Sequence, residues 1–261
     1  MTTLENVRTV PFPAPPVFDS AEEERRHRKQ RLAATFRIFG RLGYDEGMAG
    51  HVTVRDPERL DHFWVNPFGV SFGRISVKDL ILVDRHGNVV EGDRPVSRGA
   101  FVIHSCIHDA RPDVVAAAHA HTIYGRALSA LGTKLRPVVQ EACAFYEDHE
   151  VYDQYNGLAL EDDEGRRMAD RLGANRAVML QNHGLITVGG SVDEAAYWFI
   201  SFDRAAQVQL IAEAAGKPAY MSHEQAQIAH KQFGDPKLAW YSFQILWDDI
   251  VHAEPDLLDE G

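Results

Sequence analysis

His119 and His121 stand two residues apart at the end of the small apolar run Val114–His121, and His183 stands between Asn182 and Gly184 further along the chain. Side chains leave a strand on alternate faces, so a strand ending here sends His119 and His121 to the same side. Asn182-His183-Gly184 sits between the apolar runs 177–180 and 185–188, the pattern of a hairpin whose tip carries His183. Three neutral imidazoles meeting at one point suit a first-row divalent ion and leave positions open for water or substrate. The plainer alternative is three separate histidines, each satisfied by its own hydrogen bonds.

The elements that must position these residues follow from periodicity and breakers. Residues 1–20, with Pro11, Pro13, Pro15 and Pro16, predict an extended arm, and 21–261 a single domain. Leu32, Phe36 and Phe39 predict a helix from Ala21 to Leu42, closed by Gly43. Residues 47–55 and 63–69 read as short strands leading into tight turns, and 80–83 with 88–90 as a hairpin. A helix spans Ala100–Ala110 and stops at Arg111-Pro112; the strand 114–121 follows, then a helix from Thr122 to Leu131. Glu164–Leu172 predicts a short helix. Ser191 and Glu194 read as a capping box for a helix ending at Ala215, and Ser222-His-Glu-Gln225 repeats that pattern. In the last helix Trp240, Phe243, Trp247 and Val251 form one stripe, for the core or a subunit interface. The sum is an α/β fold with a largely antiparallel central sheet flanked by helices.

Composition narrows the function. The chain has 261 residues, 45% of them apolar and 25% charged, which is ordinary for a soluble globular protein. Its formal net charge is −11, from 38 acidic against 27 basic residues, and no basic stripe stands out, which argues against nucleic-acid and membrane-surface roles. Cys106 and Cys143 lie in apolar surroundings and read as reduced core thiols. No apolar run is long enough for a transmembrane helix and no signal-peptide pattern opens the chain, so the cytoplasm is the expected compartment.

Several motifs appear in order: Gly47-x-x-Gly50-His-Val-Thr-Val-Arg55, Asn66-Pro-Phe68-Gly69, the segment 100–108, Arg111-Pro-Asp113, His119-x-His121 and Asn182-His183-Gly184. Over about residues 31–216 the chain resembles the class II aldolase/adducin family. The resemblance implies an α/β/α fold and a homotetramer with active sites between subunits. It also implies a divalent metal held by His119, His121 and His183, zinc first, with iron, manganese or cobalt as alternatives. The substrate implied is a small molecule.

The departures from that family matter as much. The aldolases' general acid/base Glu falls on Ala100, which cannot transfer a proton. Their phosphate-binding positions fall on His51, Phe68, Arg98 and Gly99, so a phosphorylated sugar loses its contacts. The substrate set read here is His51, Asn66, Phe68, Gly69 and Arg98; Arg98 suits a carboxylate, and Phe68 an apolar ring. The aldolases' catalytic tyrosine falls on Glu141, in the apolar stretch 138–146, where burial would raise the carboxyl pKa toward a useful value. Glu141 is therefore the acid/base candidate, or a fourth metal ligand, with Tyr146 and His149 beside it.

Three functions remain open from the residues. The first is a metal-dependent lyase performing aldol-type cleavage or decarboxylation of a small, non-phosphorylated oxo- or hydroxy-acid. The second is a non-haem iron oxygenase acting on an aromatic acid, a chemistry found in one antibiotic-pathway branch that resembles this fold. The third is a non-catalytic, adducin-like interaction module.

Overall fold

A computed structural model describes residues 12–157 and 161–261, so the first eleven residues of the expected arm lie outside the described residues. Helix α1 (Ala21–Arg41) opens at Ser20, whose hydroxyl accepts from the Glu23 amide at 3.2 Å. Glu22, Glu23 and Glu24 in its first turn oppose the helix dipole and Arg41 closes the last turn. Gly43, at φ +74°, takes the left-handed step that ends the helix.

Strands β1 (His51–Arg55), β2 (His62–Val65), β3 (Ile81–Asp84) and β4 (Val89–Glu91) come first. Helix α2 (Arg98–Ala110), β5 (Ala116–Ala120), α3 (Ile123–Ala130) and β6 (His149–Tyr152) follow. The chain then runs through α4 (Asp162–Leu172), β7 (Ala177–Leu180), β8 (Gly184–Gly189), α5 (Val192–Ala215), α6 (His223–Phe233) and α7 (Pro236–Ala253). The sheet order is β4-β3-β2-β1-β5-β8-β7-β6, antiparallel except for the parallel β6–β7 pair. The expected α/β/α layering is therefore present. Strand β6 was not anticipated, because the apolar stretch before it carries no period that separates strand from turn.

The central strand β5 is buried along its whole length, which its small side chains permit. Ala116, Ala118 and Ala120 face the core shared with α1, α5 and α7; Ala117 faces the core shared with α2 and α4. Leu32, Phe36 and Phe39 of α1 are fully buried, each contributing roughly 1.5–3 kcal/mol of transfer free energy. Phe243 of α7 is fully buried and Trp240 nearly so, with Trp247 and Val251 against the same cluster. The aromatic stripe is thus core within one chain.

One buried carboxylate ties α1 to the sheet. Asp56 accepts a forked pair from Arg25 at 2.6 and 3.0 Å, the Trp64 indole N–H at 3.0 Å, and the amides of Glu58 and Arg59. Burial alone would raise its pKa, but these donors hold it well below the usual carboxylate range. The capping pattern at Ser222 forms in both directions. At Ser191 only half forms: its hydroxyl accepts from the Glu194 amide, but Glu194 reaches past it to the Gly190 amide at 2.7 Å and to the Trp198 indole. No helix among the described residues is long and apolar enough to cross a membrane.

Gly50 sets the approach of β1 to β5. It has φ +95°, and an added Cβ would stand 3.2 Å from both the Ala120 Cα and the His119 carbonyl oxygen. Gly50→Ala is expected to cost roughly 1–3 kcal/mol from the strained φ and to push β5 away. Urea unfolding checks it, and a variant as stable as the parent would refute the close approach.

Candidate metal centre

The three histidines meet. His119 lies in β5, paired with His51 of β1 on one side and Ile186 of β8 on the other. His121 follows the strand and immediately precedes Thr122, the cap of α3. The Gly125 amide is shared by the Thr122 hydroxyl at 3.2 Å and the Asp203 carboxylate of α5 at 2.9 Å, which pins the start of α3 and therefore His121. His183 rides the tight turn between β7 and β8, where its amide donates to the Leu180 carbonyl at 3.0 Å. Asn182 takes φ +59°, a conformation that Asn tolerates better than most residues.

The ring centroids of His119, His121 and His183 are 4.9–5.1 Å apart, and one ligand atom from each lies within 4.8 Å of the others. His121 Nε2 and His183 Nε2 face each other at 3.1 Å. Two imidazole nitrogens bound to one ion at a near-tetrahedral angle stand about 3.3 Å apart, so the spacing fits. His119 Nδ1 donates to the Leu185 carbonyl at 2.8 Å, which leaves its Nε2 lone pair free. Burial lowers the pKa of all three: well below the ordinary value for His119, to about 4 for His183, where His121 adds repulsion, and downward for His121 beside Arg126. Neutral imidazoles present lone pairs without competing protons.

The cluster continues inward. His51 is buried, with its ring 5.1 Å from that of His119 and 4.2 Å from that of His104 on α2. Thr53 Oγ sits between His104 Nδ1 at 2.8 Å and His108 Nε2 at 2.9 Å. One hydroxyl proton serves one ring, and its lone pair accepts from the other. Burial lowers the pKa of His51 and His104 strongly and takes His108 to about 3, with Arg55 repelling charge there as well. Sequence reasoning passed over His104 and His108. Their i, i+4 spacing on an apolar helix, with a threonine inside the facing strand, was the available signal.

Of the substrate set, His51, Asn66, Phe68 and Gly69 line one niche of about 20 Å³, room for a single water-sized group. His51 Nε2 and Asn66 Oδ1 are buried there with no hydrogen-bond partner among the described residues. Arg98 departs from expectation. It is exposed at the start of α2 and lines a different cavity with Arg85, His86 and Phe101.

The proton-transfer residues are also placed differently. Glu141 opens a short 3₁₀ turn, Glu141–Phe145, in which Ala142–Phe145 point inward and Glu141 is exposed, bonded to Gln140. The expected burial of Glu141 fails because turn geometry, not strand alternation, decides which side chains face in. Tyr146 bonds His223 of α6 at 2.9 Å. Glu141 is not part of the group formed by the three histidines, and neither Glu141 nor Tyr146 hydrogen-bonds any of them. His149 is a structural histidine: Nδ1 donates to the Phe145 carbonyl and Nε2 accepts from the Leu135 amide. Cys106 and Cys143 are free and buried, and burial pushes the Cys106 thiol to about 11.

Comparison with known proteins gives consistent matches. The Class II Aldolase and Adducin N-terminal domain matches residues 30–210. Decarboxylase NovR of Streptomyces niveus is 48% identical over 248 residues, 94% of this chain and 92% of that protein. A 4-hydroxy-3-prenylphenylpyruvate oxygenase/4-hydroxy-3-prenylbenzoate synthase of Streptomyces roseochromogenus subsp. oscitans is also 48% identical, over 94% of this chain and 90% of its own. A solved L-fuculose 1-phosphate aldolase from Glaciozyma antarctica superposes with TM-score 0.88 at 40% identity, covering 94% of this chain and 97% of that one.

Buried neutral histidines are expected to make the fold acid-labile. His108 titrates near 3 when folded, against an ordinary value near 6.5, so its contribution is complete above pH 6.5 and is lost as pH falls toward 3. Between pH 7.5 and 5 His108 alone should remove about 2 kcal/mol, and His51, His104 and His119 shift in the same direction. Urea unfolding of metal-free protein at the two pH values checks this; equal stability would contradict it.

Proposed function

The chain belongs to the class II aldolase and adducin family, and from that membership and its histidine centre we propose that it is a metal-dependent lyase. The reaction is carbon–carbon cleavage, aldol-type or by decarboxylation, in a small oxo- or hydroxy-acid that carries no phosphate. The observation that carries this reading is the convergence of His119, His121 and His183, with two Nε2 atoms 3.1 Å apart. A bound divalent ion, zinc first and iron, manganese or cobalt after it, supplies Lewis-acid stabilisation of the charge left when the bond breaks.

The chain's own residues do the rest. His119, His121 and His183 hold the ion. His51 Nε2 and Asn66 Oδ1, unpaired and buried, are satisfied by polar atoms of the substrate. Phe68, 39% exposed beside them, offers an apolar face and no hydroxyl for a phosphate. An aromatic oxo-acid fits these groups, and the name of one relative includes a phenylpyruvate. Glu141 and Tyr146 are proposed as the proton-transfer pair. Since neither hydrogen-bonds the three histidines within one chain, they act at a neighbouring subunit's centre in the homotetramer the family implies. The enzyme works in the cytoplasm on this reading.

A non-haem iron oxygenase is the second reading. It is favoured by the name of one relative 48% identical over 94% of this chain, which includes an oxygenase. Three protein ligands leave coordination positions open for oxygen and substrate. The adducin-like module is set aside, because both relatives aligned over 94% of the chain carry enzyme names.

The test is pyruvate release from 4-hydroxy-2-oxo-4-phenylbutanoate, whose retro-aldol cleavage leaves a metal-stabilised enolate and benzaldehyde, and carbon dioxide release from 4-hydroxyphenylpyruvate, by protein loaded with zinc or iron(II), in air and under nitrogen. A lyase releases pyruvate at the same rate in both atmospheres; an oxygenase releases carbon dioxide only with iron and oxygen. Neither product in any condition contradicts both readings. Glu141→Gln should lower turnover by roughly 10²–10⁴ with metal content intact, and an unchanged rate would remove Glu141 from the mechanism.

A further inference from the structure

Asp203 of α5 is a buried carboxylate to which the proposed reaction gives no part. It is 4% exposed, and among the described residues it is held by hydrogen bonds and not by an ion pair. The donors are the Gly125 amide at 2.9 Å and the hydroxyls of Thr122 and Tyr44. Burial raises its pKa more than these donors and the charge of Arg204 lower it. Packing alone does not call for a carboxylate at such a position.

The donors belong to two segments that flank the histidines. Strand β5 ends at Ala120, so His121 stands outside the ladder of the sheet and takes its position from Thr122, the cap of α3. Asp203 meets both the Thr122 hydroxyl and the Gly125 amide that this hydroxyl caps. No space is left there: a Cβ on Gly125 would stand 2.6 Å from Thr122 Oγ1 and 3.6 Å from Asp203 Oδ1. Tyr44 roots the other segment, the loop 44–50, which brings Gly47 to Gly50 to the niche and ends beside His119. Its ring lies against Phe39 and Phe199, 5.4 and 5.8 Å between centroids. Burial, with Asp203 beside it, raises the Tyr44 pKa, so the hydroxyl keeps its proton and donates. The same two segments are joined once more by Arg126 and Glu46 at 2.6 Å. That ion pair is exposed to water and salt, so the buried carboxylate is the stronger tie.

We infer that Asp203 is a positioning residue that fixes the metal ligand His121 and the niche loop relative to each other, acting through Thr122 and Tyr44. The inference rests on the metal reading proposed above and adds to it a residue outside the histidine group. A carboxylate accepts from all three donors at once, whereas an asparagine keeps one acceptor oxygen and turns an amide N–H group toward a hydroxyl. Releasing Thr122 frees His121, and partners one step behind a metal ligand typically govern metal affinity by tenfold to a hundredfold.

Zinc titration of the full-length protein in competition with a chromophoric chelator tests this inference. Asp203→Asn, shown by circular dichroism to be folded, should bind zinc roughly tenfold or more weakly than the parent. Tyr44→Phe should weaken zinc roughly two- to tenfold. Asp56→Asn removes a different buried carboxylate, at the end of β1 away from His51, and should leave zinc affinity within about twofold of the parent. Parental affinity in folded Asp203→Asn overturns the inference, and so does an equal loss in Asp56→Asn, which would make the effect a general loosening of the fold. If Asp203→Asn does not fold, Tyr44→Phe decides alone, and unchanged affinity there overturns the inference. A parent protein that binds no zinc refutes the metal reading and this inference together; a parent that binds zinc beside unaffected variants refutes this inference alone.

Discussion

Desolvation of imidazole is the constraint on which the site depends. A histidine in water is protonated for part of its population near neutral pH. Here the α/β/α sandwich removes water from His51, His104, His108 and His119, and each pKa falls. The result is a file of neutral rings running from α2 through β1 to β5. Its outer end is the group of three whose lone pairs converge. Every supporting feature serves that file: the Leu185 carbonyl fixes the tautomer of His119, Thr53 links His104 to His108, and Gly50 lets β1 lie close to β5.

The chain shares its fold with a solved L-fuculose 1-phosphate aldolase. On the proposed reading it differs at the phosphate-binding positions that the family resemblance implies, presenting His51 and Phe68 around a water-sized niche. A niche of that size beside an unpaired imidazole and amide suits one polar group of a flat substrate. On the family resemblance the acid's position falls on Ala100, which has no proton to transfer.

Much of this could be read from the residues. The His-x-His spacing and the Asn-His-Gly turn bring three imidazoles together because strand period and turn chemistry are local rules, although β5 ends at Ala120 and His121 falls one residue beyond it. Fold class was legible for the same reason: breakers such as Gly43, Gly132 and Gly173 end helices where they stand. The failures were non-local. The stretch around Glu141 is apolar with no period, and only its packing against α6 and α5 selects a 3₁₀ turn that leaves Glu141 outside. Arg98 is separated from His51 because the cavity at the start of α2 opens toward the β3–β4 hairpin. His104 and His108 acquire meaning only when α2 lies across Thr53, a contact that no local pattern specifies.

X-ray absorption on protein loaded with one equivalent of zinc tests the central claim most directly. The account predicts one ion per chain with three imidazole nitrogens at about 2.0–2.1 Å, and loss of that signature in His119→Ala with the fold retained. Failure to retain zinc, a shell of sulfur or carboxylate oxygen alone, or an unchanged spectrum in His119→Ala would contradict it.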